Sequence, residues 1–247
     1  MANISEEWLE KAIFDEHINY LEYNKFTYPI MIGTGGFGNV YKYYWKDCEL
    51  PVALKCFKVN PSLDKKLING FIDELKLLRK VSYHPNIITF YGITKDNNGY
   101  YNMVLQLSND GNLREYLKEK FTILQWTDKL RIAKEIALGI LFLHSNDIIH
   151  RDLHSKNILI HDGKPKIADF GLSKHLKEQT SNSIIHGMLA YVEPKQGHKR
   201  DKKSDIYSFG VLLWEISSGR PPYQNFDSEY SLVIHIYQGN REKPIEG

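Results

Sequence analysis

Apolar positions along the 247-residue chain change period from two to about 3.6 part-way along, which predicts a strand-rich first part and a helix-rich second part. Residues 26–32 predict a strand, and Pro29 within it predicts an edge position. Residues 40–45 (Val-Tyr-Lys-Tyr-Tyr-Trp) and 52–55 (Val-Ala-Leu-Lys) are β-branched and aromatic enough to predict two more strands. Phe71, Leu75 and Leu78 form one helical stripe, with Glu74 on its border. A further strand starts at residues 84–88. The turn Asp96-Asn97-Asn98-Gly99 then predicts a hairpin into a strand over 101–107.

Beyond residue 108 the period is helical. Residues 113–117 open a short helix. Residues 126–143 predict a long one, with Ile132, Ile136, Ile140 and Leu143 on one face. Residues 204–216 predict a mostly apolar, buried helix, ended by Gly219 and barred from resuming by Pro221-Pro222. Another helix starts at residues 232–237. At the other end, Ser5 as N-cap with Glu6 and Glu7 in the first turn, followed by Trp8, Leu9, Ala12, Ile13, Ile18 and Leu21, predicts an amphipathic helix packed on the body of the fold.

Two interruptions of the apolar pattern carry the chemistry. Residues 148–160 (Ile-Ile-His-Arg-Asp-Leu-His-Ser-Lys-Asn-Ile-Leu-Ile) place a dense polar loop between two apolar runs, and the strand-like residues 165–168 lead into Asp169-Phe170-Gly171. Loops on rigid supports are where chemistry concentrates. Asp152, Asn157 and Asp169 together can supply one base and two oxygen ligands for Mg²⁺, a hard cation that prefers carboxylate and amide oxygen. Near the start, Gly33-Thr34-Gly35-Gly36-Phe37-Gly38 joins two strands. A dinucleotide-binding turn would open a helix there, and a Walker A loop would need Gly-Lys-Ser/Thr.

Gly hairpin, lysine strand, helix glutamate, polar loop, Asp-Phe-Gly turn and the helix carrying Asp205 follow one another in an order that resembles the eukaryotic protein kinases, from about residue 26 onward. Residues 113–117, Leu143-His144 and residues 210–215 are most similar to the tyrosine-kinase-like group, which holds the mixed-lineage and RAF-type kinases. The resemblance implies an α+β, bilobal protein kinase fold. A small antiparallel β-sheet lobe with one main helix (26–107) would precede a larger, mostly helical lobe (108–247), with residues 1–25 as an amphipathic helical extension.

For activity, the resemblance implies ATP-dependent, Mg²⁺-dependent transfer of the γ-phosphoryl group to a protein hydroxyl in intracellular signalling. Ser/Thr is the first reading, with tyrosine or dual specificity open; a nucleotide-binding pseudokinase scaffold is the alternative. Lys55, held by Glu74, would grip the α- and β-phosphates. Asp152 would accept the substrate proton, Asn157 and Asp169 would bind Mg²⁺, and Lys156 would touch the γ-phosphate. The glycine loop (Ile32, Gly33, Gly35, Gly36, Phe37, Gly38) would fold over the nucleotide, with Val40, Ala53 and Leu159 against adenine. Gln106, Leu107 and Ser108 would form the hinge, and Leu105 would guard the pocket behind it. Leu78, Phe90, His150 and Phe170 would stack as a column. Asp205 would hydrogen-bond the backbone of the polar loop.

The chain departs from the family pattern at three places. His154 stands where Ser/Thr kinases usually have lysine, and Met188 where they usually have threonine. Lys195, in Tyr191-Val192-Glu193-Pro194-Lys195, stands where the family has glutamate. The arginine that pairs with that glutamate, and the last two helices of the fold, would lie beyond Gly247, so the resemblance implies a C-terminally truncated domain. Residues 172–189 are polar and suit a mobile loop. Thr180, Ser181 and Ser183 there, and less so Ser173 and Tyr191, are candidate acceptors for an upstream activating kinase, with Arg151 as the cation for the phosphate.

Composition narrows the partners. Hydrophobic residues are 42% and charged residues 25%, ordinary for a globular protein. A net charge of +2 is too balanced for nucleic-acid or membrane-surface binding to be the main task. No apolar run is long enough to insert in a bilayer, and the acidic N-terminus does not resemble a signal peptide. Ala2 gives no myristoylation signal. Cys48 and Cys56 fit a reduced, cytoplasmic setting.

Overall fold

The computed structural model describes residues 10–11, 13–14, 17–35, 38–56, 65–175, 188–194, 200–226 and 228–245. It divides into two compact units, residues 1–83 with 88–107, and residues 84–87 with 108–247.

The first unit is built on a five-stranded antiparallel sheet. Its strands are β1 (Phe26–Gly35), β2 (Gly38–Trp45), β3 (Leu50–Cys56), β4 (Phe90–Lys95) and β5 (Tyr101–Gln106), in the order β1-β2-β3-β5-β4. Strand β1 lies at an edge, where Pro29 removes no ladder bond that a neighbour needs. The register puts Val40 opposite Lys55 and Ala53 opposite Leu105, so the strand periodicity alone lines up four predicted site residues. Phe26, Tyr43, Val52, Leu54 and Val104 form a buried core on one part of the sheet, packed by Trp45, Tyr91 and Tyr23. Helix α1 (Lys65–Val81) buries Phe71, Leu75 and Leu78, the stripe predicted from spacing.

The N-terminal segment differs from the predicted helix. Residues 10, 11, 13 and 14 are helical, but His17–Leu21 is not; Ser5 and Trp8 lie outside the described residues. The backbone explains why. Ile93 donates its N–H to Asn19 O (2.9 Å) and its carbonyl accepts from Leu21 N (2.8 Å), so residues 19–21 run parallel to β4 and satisfy that edge. Ile18 is buried by this docking. A sheet edge in need of partners competes with local helix periodicity, and here it wins.

The second unit holds α2 (Leu113–Lys120), α3 (Trp126–Ser145), α4 (Lys202–Ser218) and α5 (Glu229–Tyr237). It also holds the short strands β6 (Ile148–Ile149), β7 (Ile158–His161), β8 (Lys164–Ile167) and β9 (Lys174–His175), paired β6–β9 and β7–β8. Ile132, Ile136, Ile140 and Leu143 are all buried along α3, as their spacing predicts. Residues 84–87 belong to this unit because Asn86 O accepts Ile167 N (2.8 Å) and Lys166 Nζ reaches Pro85 O (2.6 Å). Gly219 ends α4 in the left-handed conformation (φ 69°), with the Phe121 ring packed where a Cβ would be.

Helix α4 is not the uniformly buried apolar rod that its sequence predicts. Ile206 and Leu213 are exposed, whereas Ser204, Asp205, Ser208 and Glu215 are buried beside Leu212 and Ile216. Its inward face is polar because it holds a loop in place, as described below.

At Gly92 (φ +154°) an added Cβ would sit 2.4 Å from Asn19 O. Gly92→Ala is therefore expected to cost about 1–3 kcal/mol through backbone strain and displacement of residues 17–21. Hydrogen exchange at the Ile93 amide reads this directly: it speeds up if the docked segment is lost, and is unchanged if the segment does not depend on Gly92.

Candidate active site

The predicted site residues fall into two groups, one in each unit. In the first unit, Lys55 on β3 donates from Nζ to Glu74 Oε1 on α1 at 2.7 Å, and both side chains are almost fully buried, at 9% and 2% exposure. Burial removes water from both charges, and each supplies the opposite charge that offsets the other's desolvation. The hairpin that precedes it pairs Gly33 with Val40 and Gly35 with Gly38, and Gly38 takes φ 131°. A residue with a Cβ rarely adopts that conformation. Gly36 and Phe37 lie outside the described residues. Ile32 is exposed on β1, Val40 is half-buried and Ala53 buried. Leu105, Gln106 and Leu107 are half-buried, and the Gln106 backbone N–H already donates to Thr89 O (2.9 Å).

In the second unit, the polar loop between β6 and β7 is fixed by Asp205 from the first turn of α4. Asp205 Oδ1 accepts Arg151 N (2.8 Å), and Oδ2 accepts His150 N (2.9 Å) and pairs with His144 Nε2 on α3 (2.8 Å). Two successive amides can point at one carboxylate because Arg151 adopts a left-handed turn (φ 71°). His150 is fully buried. Its Nδ1 accepts Asp152 N (3.3 Å) and its Nε2 donates to Ala168 O (3.1 Å), and its ring tilts against Phe170 at 5.1 Å. These partners select the neutral imidazole with the hydrogen on Nε2. Burial lowers the His150 pKa below its ordinary value, only partly opposed by Asp205 and Asp152.

The loop then brings the predicted chemistry together. Asn157 Nδ2 donates to Asp152 O (2.9 Å) and to Asp152 Oδ2 (3.0 Å). The Asp152 carboxyl is pushed up by burial, but the His154 imidazole beside it brings it below the ordinary carboxylate range. Asp169 follows β8 in a left-handed turn (φ 62°), and its charge reaches Asp152. Ala168 N donates to Asn157 O (2.9 Å), which ties the Asp169 turn to the loop. With its amide nitrogen engaged by Asp152, Asn157 has Oδ1 left for a cation, and Asp169 supplies a carboxylate. This donor set fits Mg²⁺. Lys156 is exposed. Leu159, on β7, pairs with Lys166 and bridges to Asn112, and Ser108 is half-buried.

Spacing gave no sign of a second polar network. Arg114 on α2 donates to Glu215 Oε1 (3.0 Å), Ser155 Oγ (3.1 Å) and Tyr191 OH (2.8 Å), and the Tyr191 hydroxyl donates to Glu215 Oε2. It reaches the loop at Ser155. Each member is a single polar residue in a separate element, so no local motif marks it. Arg200 Nη1 donates to Arg151 O (2.7 Å), and Arg151 Nε is buried with no partner among the described residues. Ser173 is buried, with its hydroxyl donated to His150 O (3.0 Å). Thr180, Ser181, Ser183 and Lys195 lie outside the described residues.

Fold and motif order together define a protein kinase domain. The chain matches the family described as protein tyrosine and serine/threonine kinase over residues 26–246, and it belongs to that family. It is 36% identical over 230 residues to the serine/threonine-protein kinase VIK of Arabidopsis thaliana, covering 87% of this chain and 51% of that protein. It is 36% identical over 227 residues to a probable serine/threonine-protein kinase, kinX, of Dictyostelium discoideum (87% of this chain, 20% of that protein). It is also 32% identical over 243 residues to the dual specificity protein kinase splA of the same organism (90% and 10%). The chain thus spans about half the length, or less, of these curated relatives.

Two outcomes are expected. Asp205→Asn turns a carboxylate oxygen into a donor facing backbone donors, and should lower stability by about 2–3 kcal/mol. Denaturant unfolding measures it; an unchanged midpoint would show that the loop holds without Asp205. His150 should make stability fall as pH drops below about 6.5, because the unfolded chain then takes up a proton that the folded His150 resists. Thermal unfolding of wild type and His150→Phe between pH 5 and pH 8 checks the sign: the variant loses part of the slope.

Proposed function

We propose that the chain is a Mg²⁺- and ATP-dependent protein kinase of the tyrosine-kinase-like group, acting on serine or threonine hydroxyls of a protein substrate in the cytoplasm. The observation that carries this reading is the Asp152–Asn157 arrangement. A carboxylate held below its ordinary pKa stays ionised at neutral pH, as an acceptor of a hydroxyl proton must. The buried Lys55–Glu74 pair supports it, since an oriented lysine is what phosphate oxygens require. Among the described residues no helix is long and apolar enough to cross a membrane.

In this reading Lys55 binds the α- and β-phosphates, and the glycine hairpin with Val40 and Ala53 lies against the nucleotide. Leu105, Gln106, Leu107, Ser108 and Leu159 line the adenine side. Asn157 and Asp169 hold Mg²⁺, which supplies charge neutralisation on the phosphates. Asp152 orients the acceptor hydroxyl and takes its proton, and Lys156 stands at the γ-phosphate. Thr180, Ser181 and Ser183 are the acceptors for an upstream kinase, with Arg151 as the cation for the phosphate.

The second reading, a nucleotide-binding scaffold, is favoured by one feature: Lys195 stands where the family places a glutamate. Incubation with γ-labelled ATP, Mg²⁺ and a general acceptor protein separates the two. Transfer is expected, with Asp152→Asn and Lys55→Met each lowering it about 10²- to 10⁴-fold. Phosphoamino-acid analysis should return phosphoserine or phosphothreonine. A thermal shift with ATP and Mg²⁺ but no transfer would select the scaffold.

A further inference from the structure

Lys195 stands where the family has glutamate, but the chain keeps a carboxylate two residues earlier, at Glu193. Glu193 Oε2 accepts the Ser204 hydroxyl at 3.1 Å. Ser204 sits in the first turn of α4, and its Oγ also accepts Asp201 N (3.3 Å). Asp201 in turn caps the helix, with Oδ1 accepting Lys203 N (2.8 Å) and Ser204 N (3.3 Å). The Glu193 charge is thus tied to the N-terminal end of a helix, where the backbone dipole favours an anion.

Ser204 belongs to a polar stripe. Ser204, Ser208 and Glu215 share one face of α4 by helical spacing, and all three are buried. Ser208 Oγ donates to Tyr191 O (2.8 Å), and Glu215 Oε2 accepts the Tyr191 hydroxyl. Both of these attachments pass through Tyr191. Two attachments through one residue define a pivot; a third, made two residues away, removes the remaining rotation. The Glu193–Ser204 bond is such a third attachment. What it orients borders the polar loop. The Tyr191 hydroxyl meets Ser155 Oγ at 3.2 Å, and its ring centroid stands 6.0 Å from that of His154, whose Nε2 is 3.6 Å from Asp152 Oδ2.

We propose that Glu193 is a positioning residue for the protein acceptor: its bond to Ser204 fixes residues 188–194 in the orientation that supports the acceptor chain beside Asp152. The inference rests on the kinase reading. A protein acceptor extends on both sides of its hydroxyl, so its chain crosses the surface next to Asp152 as well as reaching that carboxylate. Glu193 makes no bond to the reacting atoms. It acts through the segment that carries it, so its effect falls on use of the acceptor and leaves ATP binding alone.

The test measures steady-state transfer from γ-labelled ATP to a general acceptor protein by the full chain. Wild type is compared with Glu193→Ala, Glu193→Gln, Ser204→Ala and the double alanine variant, at a temperature where thermal unfolding shows all of them folded. Glu193→Ala should lower kcat/KM for the acceptor about 10-fold, the scale of a lost hydrogen bond to a charged group, while the KM for ATP stays within about twofold. Glu193→Gln keeps an oxygen facing the Ser204 hydroxyl and should recover most of that loss. With Ser204→Ala already present, Glu193→Ala should change little, because its partner is gone. Wild-type acceptor kinetics in Glu193→Ala would overturn the proposal. So would a matching rise in the KM for ATP, which marks a general loosening of the fold. A glutamine variant as slow as the alanine variant, or fully additive losses at the two positions, would break the link to Ser204 and overturn it as well. Wild type without transfer would overturn the kinase reading instead, a result that looks different from all of these.

Discussion

The Asp205 carboxylate is buried in the second unit, and the donors it satisfies come from α3 and from two successive amides of the loop after β6. A buried carboxylate without donors would be strongly destabilising, and a loop without its acceptor would have two backbone amides in the same position. Each solves the other's problem, so the loop has one conformation rather than several. That conformation includes a left-handed arginine, which a loop free to relax would not keep. The orientation of His150, and through it Asp152 and the Asp169 turn, follows from the same contact.

The first unit applies the same logic with opposite charge. Lys55 would not remain charged in the interior of a β-strand without a partner, and Glu74 would not remain charged on the inner face of α1. Their pairing makes the position of α1 against the sheet a condition for having an oriented lysine at all. In both units, then, the groups proposed for chemistry are held by buried charge, and apolar packing supplies the rigid walls.

What could be read in the sequence was what depends on short-range order. Strands β1, β2, β3 and β5, the long helix with Ile132 to Leu143 inward, the left-handed end at Gly219 and the α1 stripe follow from period and turn chemistry. The strand expected from residues 84–88, by contrast, begins only at Phe90, because the backbone of residues 84–87 bonds to β8 of the second unit. The Lys55–Glu74 partnership was legible because each member sits in a motif of fixed order. Two things were not. Residues 17–21 look helical by spacing, yet a distant sheet edge claims their backbone. The inward face of α4 looks apolar, yet it buries Asp205, Ser208 and Glu215, whose partners lie far away in sequence. Pattern reading weighs local preferences and cannot see a demand made from elsewhere in the fold.

The separation of the partners also dictates an order of events at synthesis. Lys55 and Glu74 are 19 residues apart and can meet soon after both are made. Arg114 and Glu215 are 101 residues apart. At typical translation speeds of about 5–20 residues per second, Arg114 waits about 5–20 seconds for its counterion to be made. Throughout that delay the nascent second unit has polar groups that cannot yet be buried and helices with nothing to close against. This half of the molecule is the one in which co-translational folding lags, and where a chaperone would find its client.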